Sequence, residues 1–90
     1  MKKMEILYSS KAAKQLKKIA KGDRNSAQMI LQRIESYTKN PSKHHDVKLL
    51  KGRYGIFKRL RAGNYRVIFD DNNRIMHIYE IKQRQGAYND

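Results

Sequence analysis

The sequence predicts an α+β domain with the element order β-α-α-β-β-β, an antiparallel sheet packed against an N-terminal helical hairpin. Three observations carry this. Apolar residues recur at three- and four-residue spacing between residues 12 and 37, which is the period of helices. After Gly55, runs of aromatic and β-branched residues are separated by turn residues. Finally, the helical stripes need a further surface to cover them, and the later strands supply it.

The elements follow in order. Met4–Tyr8 (Met-Glu-Ile-Leu-Tyr) is a short apolar run with one charge, most simply a strand. Ser9 or Ser10 can cap the first helix by accepting from a free backbone N–H. Ala13, Leu16 and Ile19, with Ala12 and Ala20 beside them, mark its apolar face, and Gly22 ends it. Lys11, Lys14, Lys17, Lys18 and Lys21 cover much of the remainder. Asp23 or Asn25 can cap the second helix, whose buried stripe is Ala27, Ile30, Leu31, Ile34 and Tyr37. Asn40-Pro41 stops it, because the residue before proline is pushed out of the α region. Ser42–Asp46 is a polar loop. Its adjacent His44 and His45 project differently and have no ligand cluster beside them, so they read as a solvated pair.

Val47–Tyr54 mixes apolar anchors with Lys48, Lys51 and Arg53 and leads through Gly55 into Ile56–Arg61, the second strand. Ala62-Gly63-Asn64 is a tight turn, since Gly and Asn tolerate positive φ at little cost. Tyr65–Asp70 is the third strand, Asp71-Asn72-Asn73 a turn, and Ile75–Ile81 the fourth. The last two strands carry apolar residues on both parities, so they read as central. The polar tail runs from Lys82 to Asp90.

Ninety residues allow one domain, residues 1–90. A chain of this size buries roughly 60–65% of its extended surface and folds with a thin margin. Its 21 Lys and Arg against 8 Asp and Glu give a net charge of +13. That surplus costs self-repulsion in the compact state, which an anionic partner offsets. Nucleic acid fits first, an acidic protein second, a membrane surface third. The absence of cysteine rules out disulfides and thiolate metal sites and fits a reducing cytosol. No signal-peptide h-region and no run of about 18 apolar residues is seen, so the expectation is a soluble cytoplasmic protein away from membranes.

One residue breaks the pattern. Arg66 sits inside the apolar run Tyr65–Phe69, where a buried charge is costly unless an anion or a wet cleft receives it. An RNA phosphate is the partner this sequence suggests. Tyr88 is the second oddity, an aromatic residue in a tail where termini are usually polar. It either packs on the sheet edge or offers a ring for a base to stack on.

The order of elements, Lys48-Leu-Leu-Lys-Gly52, the hairpin Leu60–Phe69 and the Arg84…Tyr88 tail resemble the RelE/ParE superfamily of bacterial and archaeal toxins. The resemblance covers nearly the whole chain. In the RelE branch it implies a toxin that enters the ribosomal A site and cuts mRNA, held in check by an antitoxin in a toxin–antitoxin hetero-oligomer. In the ParE branch the implied target is DNA gyrase, with no RNA cleavage. By resemblance, Arg66 is aimed at the scissile phosphate, Arg84 stabilises developing charge, and Tyr88 stacks on or orients the nucleotide. Lys58, Arg59 and Arg61 fall in the strand where the family places basic residues, and Arg59 and Arg61, with Lys48 and Lys51 ahead of that strand, are the expected RNA contacts. Many members carry a histidine where this chain has Gln83, which cannot act as a base at neutral pH. Gly86-Ala87 also replaces a more charged or bulkier pair.

The chemistry such residues support is metal-independent and needs no cofactor. The 2′-hydroxyl of RNA attacks the adjacent phosphorus and the 5′-oxygen leaves, giving a 2′,3′-cyclic phosphate and a 5′-hydroxyl. Arginines neutralise the phosphorane well but cannot take the proton. Lys58 or Tyr88 is the candidate base, if neighbouring cations depress its pKa. No carboxylate in the hairpin or tail is placed to form a metal site. The lysines of the first helix are either a solvated face or a docking contact with ribosomal RNA. Two rival functions stand beside the nuclease: a gyrase-directed inhibitor and a plain nucleic-acid-binding module.

Overall fold

A computed structural model describes residues 4–41, 45–52 and 55–83. The chain runs β1 (Glu5–Tyr8), α1 (Ser10–Gly22), α2 (Arg24–Lys39), β2 (Val47–Gly52), β3 (Gly55–Ala62), β4 (Tyr65–Asp70), a 3₁₀ turn (Asn72–Arg74) and β5 (Ile75–Gln83). The expected α+β architecture, a helical pair followed by a sheet, is what the chain forms. The sheet has one strand more than expected, in the order β1-β5-β4-β3-β2. It is also mixed, because β1 lies parallel to β5 while the other pairs are antiparallel. No described helix is long and apolar enough to cross a membrane.

The helix termini follow their capping chemistry. Of the two serines, Ser9 caps α1: its Oγ accepts from Ala12 N at 3.0 Å and donates to the Tyr79 carbonyl at 2.7 Å. Of Asp23 and Asn25, Asp23 caps α2, accepting from Ser26 N at 3.1 Å. Asp23 alone joins the helices, since its own N–H closes α1 on the Ile19 carbonyl.

Ala12, Ile30, Ile34 and Tyr37 from the helices meet Leu60, Ala62, Val67, Phe69, Met76, Ile78 and Ile81 from the sheet. Leu16 and Ile19 pack at its margin. Ala13, Ala20 and Leu31 do not join it and are exposed. Each stands one position, or about 100°, away from a residue on the buried line, so a three-to-four spacing alone admitted them.

β2 was not expected as a strand. Its Lys48-Leu49-Leu50-Lys51 core does not alternate, and Leu49 is 55% exposed, as an edge strand with one unpaired side permits. In β5 a bulge inserts Tyr79 opposite the step from Ile68 to Phe69. Ile78 and Ile81, three apart, therefore both face the helices, while Tyr79 and Glu80 are consecutive on the open face. The β3–β4 turn carries positive φ at Gly63 (59°) and not at Asn64, the pattern of a type II′ hairpin.

His45 differs from the solvated loop residue expected. Its ring lies edge-on to Tyr37 with centroids 5.3 Å apart, and Nε2 is 2.9 Å from the Asn40 carbonyl. His44 lies outside the described residues.

Candidate nucleic-acid interface

Strand parity sorts the basic residues. Leu60, Val67 and Phe69 face the helices, so Arg59, Arg61, Arg66 and Ile68 face the other way. The registers Arg61↔Arg66 and Arg66↔Lys82 then place three cations side by side on adjacent strands. Asp46 stands at the β3 end of this row, its Oδ2 3.6 Å from Arg61 Nε. One step along the strands, Lys48 pairs with Arg59 and Arg59 with Ile68, which faces Glu80. Like charges placed opposite one another in a sheet cost stability. The row of three, with Arg66 half-buried at its centre, concentrates positive charge on the open face.

The residues singled out from sequence divide as follows. Arg61 and Arg66 come together on the open face, and Lys48 lies one row away. Lys51 is on the opposite parity of β2 and exposed, away from the row. Arg59 shares the open face but is not available to a ligand. Its side chain is only 5% exposed and its Nη1 is 3.4 Å from Asp46 Oδ1.

Lys58 is not brought to Arg66 at all. It pairs with Phe69 and so faces the helices. Its Nζ donates to both oxygens of Asp71, at 2.8 and 3.0 Å. Tyr37 donates to the same carboxylate at 2.5 Å. Burial pushes the Asp71 carboxyl up, but the bonds from Lys58 and Tyr37 outweigh it, and the net shift is downward. Burial first, then the hydrogen bond to Asp71, raises the Tyr37 hydroxyl. Lys58 thus belongs to a polar anchor under the sheet. Arg84 and Tyr88 lie outside the described residues, and Gln83 pairs with Tyr65 on the helix-facing side.

Sequence reading missed Lys82 and Asp46. The register out of the two-residue hairpin reaches Arg66 from Arg61 by counting alone, but the β5 bulge hides the next step to Lys82. Among the described residues no three His, Asp or Glu side chains gather as metal ligands would.

A second group lies further along the open face. Phe57 and Tyr79 meet edge to face with centroids 5.4 Å apart. The Tyr79 hydroxyl donates to Asp70 Oδ2, and His77 Nδ1 lies 3.4 Å from Asp70 Oδ1. The hydrogen bond to Asp70 is the main reason the Tyr79 hydroxyl is raised above its ordinary value. Phe57, Ile68, Asp70, Tyr79 and Glu80, with Gly55 and Ile56 at the rim, line an open hollow of about 520 Å³.

The family model described as "ParE toxin of type II toxin-antitoxin system, parDE" matches residues 6–88. The chain belongs to this toxin family. No curated protein matches the toxin's sequence. Its fold is that of a YoeB from Staphylococcus aureus, solved as a dimer, at 16% identity and a TM-score of 0.77, covering 93% of this chain and all of that one. An archaeal RelE in complex with RelB from Pyrococcus horikoshii aligns at 21% identity and a TM-score of 0.73, covering 96% of this chain and all of that one. A YoeB/ParE toxin from Agrobacterium tumefaciens aligns at 12% identity and a TM-score of 0.74, covering 91% and 100%. At these identities the likeness is one of fold.

Proposed function

We propose that this type II toxin is a ribosome-dependent mRNA endoribonuclease of the RelE-like kind. The observation that carries the reading is the row Arg61–Arg66–Lys82 across three strands of the open face. A phosphodiester laid over it meets fixed positive charge where the phosphorane gains negative charge. The 2′-hydroxyl attacks phosphorus, the 5′-oxygen leaves, and a 2′,3′-cyclic phosphate and a 5′-hydroxyl remain. Guanidinium forks hold the phosphate oxygens in pairs and fix the in-line geometry. Lys58 has no part in this, since it faces the helices and is engaged by Asp71. By the superfamily resemblance, Arg84 and Tyr88 complete the site from the tail.

The partners of this reading are mRNA in the ribosomal A site and a cognate antitoxin. Related folds are seen with antitoxin chains, RelB in the archaeal complex and YefM in a Staphylococcus aureus complex. An acidic antitoxin segment would meet the same cationic row. The second reading is a gyrase-directed toxin without nuclease activity, and the match to the ParE family model favours it. It leaves the cationic row without a phosphodiester to act on.

A translation extract supplied with one defined mRNA separates the two. Codon-dependent cuts that vanish with Arg66→Ala and leave 2′,3′-cyclic phosphate and 5′-hydroxyl ends support the nuclease. No cuts, with loss of gyrase supercoiling, supports the ParE-like reading and overturns it.

A further inference from the structure

We propose that the hollow between Phe57 and Tyr79 is a nucleobase subsite that prefers a base with an exocyclic amine. The proposal rests on the RNA reading and adds to it the recognition of one base. Four observations point to it. The hollow opens on the same face of the sheet as the cationic row. Asp70 and Arg66 are four residues apart on β4, about 13 Å along the strand, so an RNA strand held at the row can place a nearby base here. The walls are aromatic and apolar, Phe57, Tyr79 and Ile68, and Tyr79 is 38% exposed. The β5 bulge is what turns Tyr79 and Glu80 together onto this face.

The polar group at the wall selects the ligand. In a chain of net charge +13, this hollow is lined by two carboxylates, Asp70 and Glu80. Carboxylates repel phosphate but accept from base amines, as in their pairing with cytosine N4. Tyr79 and His77 fix the Asp70 carboxylate, one on each oxygen, and leave lone pairs on both. Glu80 is held by Lys11, Oε2 to Nζ 2.9 Å. The site therefore stacks a base and accepts from its amine. Uracil offers only N3–H, flanked by two carbonyl oxygens that the carboxylate repels, so it stacks with a weaker bond.

The test measures binding of uncleavable 2′-O-methyl hexamers of A, C and U to the whole chain by fluorescence anisotropy. The wild type binds the A and C hexamers about tenfold tighter than U. Tyr79→Ala weakens the A hexamer about 5- to 150-fold, the range of one lost stack. Tyr79→Phe, which keeps the ring and its contact with Phe57, stays near the wild type. Asp70→Asn abolishes the preference for A and C over U. If the wild type binds and cuts RNA but Tyr79→Ala and Asp70→Asn change nothing, the subsite falls and the nuclease stands. If the wild type binds no hexamer but cuts mRNA in the translation extract, the subsite falls and the nuclease stands; if it neither binds nor cuts, both fall. Binding of N-acetylarginine amide that is lost in Asp70→Asn, with RNA affinity unmoved, assigns the hollow to a cationic protein side chain and overturns the nucleobase.

Discussion

Replacing Asp71 with Asn removes the charge that Lys58 and Tyr37 share while keeping the shape. The carboxylate is 15% exposed, Lys58 33% exposed, and the Tyr37 residue 4%. Breaking a fully buried pair costs about 3–5 kcal/mol, because the remaining charge is stranded. Solvent reaches a third of Lys58, which lowers the expected cost to about 2–3 kcal/mol. A chain of this size holds only about 5–13 kcal/mol in total. In thermal unfolding the loss corresponds to a Tm lower by about 10–20 °C. The pH dependence gives a second handle. Asp71's carboxyl is held below its usual range, so the stability it supplies is complete above about pH 4 and lost as pH falls through its lowered folded-state value. The gap between wild type and Asp71→Asn should be full at pH 7 and shrink toward pH 3. A gap under about 0.5 kcal/mol at pH 7, or one that does not change with pH, refutes the anchor.

Lys58→Met should destabilise the protein by a similar amount while the folded fraction still cuts mRNA. A folded, stable and inactive variant would return Lys58 to the reaction. Arg66→Ala should lower cleavage in a translation extract by about 10²–10³-fold, the loss typical of one charge-stabilising donor. Primer extension of the cut message reads that loss. Gly63→Val should destabilise the hairpin, because the φ of 59° suits β-branched residues poorly, whereas the end of the Met29 side chain beside it can move aside. A cost above about 1 kcal/mol in urea unfolding is expected, and a neutral result would argue against the turn. Binding of single-stranded RNA should weaken with salt at a slope of about −3, from Lys48, Arg61, Arg66 and Lys82. A slope near zero in a salt titration would remove the phosphate contacts.

Local chemistry was legible where one residue type decides one feature. Ser9, Asp23, Gly63 and Pro41 punctuate the chain as their backbone preferences require. Arg66 announced itself as a charge in an apolar strand. The helix-facing core was legible in outline, although Ala13, Ala20 and Leu31 passed the spacing test and stayed outside. What sequence could not show was set by pairing. Nothing local to β1 says that it lies parallel to β5, where Glu5 meets Ile75 and Tyr8 meets Ile78. β2 hid behind Leu49, an apolar residue left exposed on an edge strand. Lys58 and Arg59 look alike as neighbours in a basic strand, but parity sends one beneath the sheet and burial takes the other out of reach. The β5 bulge moves every later residue by one position, so neither Lys82 beside Arg66 nor Tyr79 beside Phe57 follows from alternation.

The open face as the RNA-holding surface is tested most directly by nuclear magnetic resonance. A short RNA, made uncleavable by 2′-O-methylation, is titrated into the ¹⁵N-labelled toxin. Amide shifts should cluster on β3, β4 and β5 around Arg61, Arg66 and Lys82. Shifts confined to the lysines of α1, with the three strands unmoved, would contradict the account.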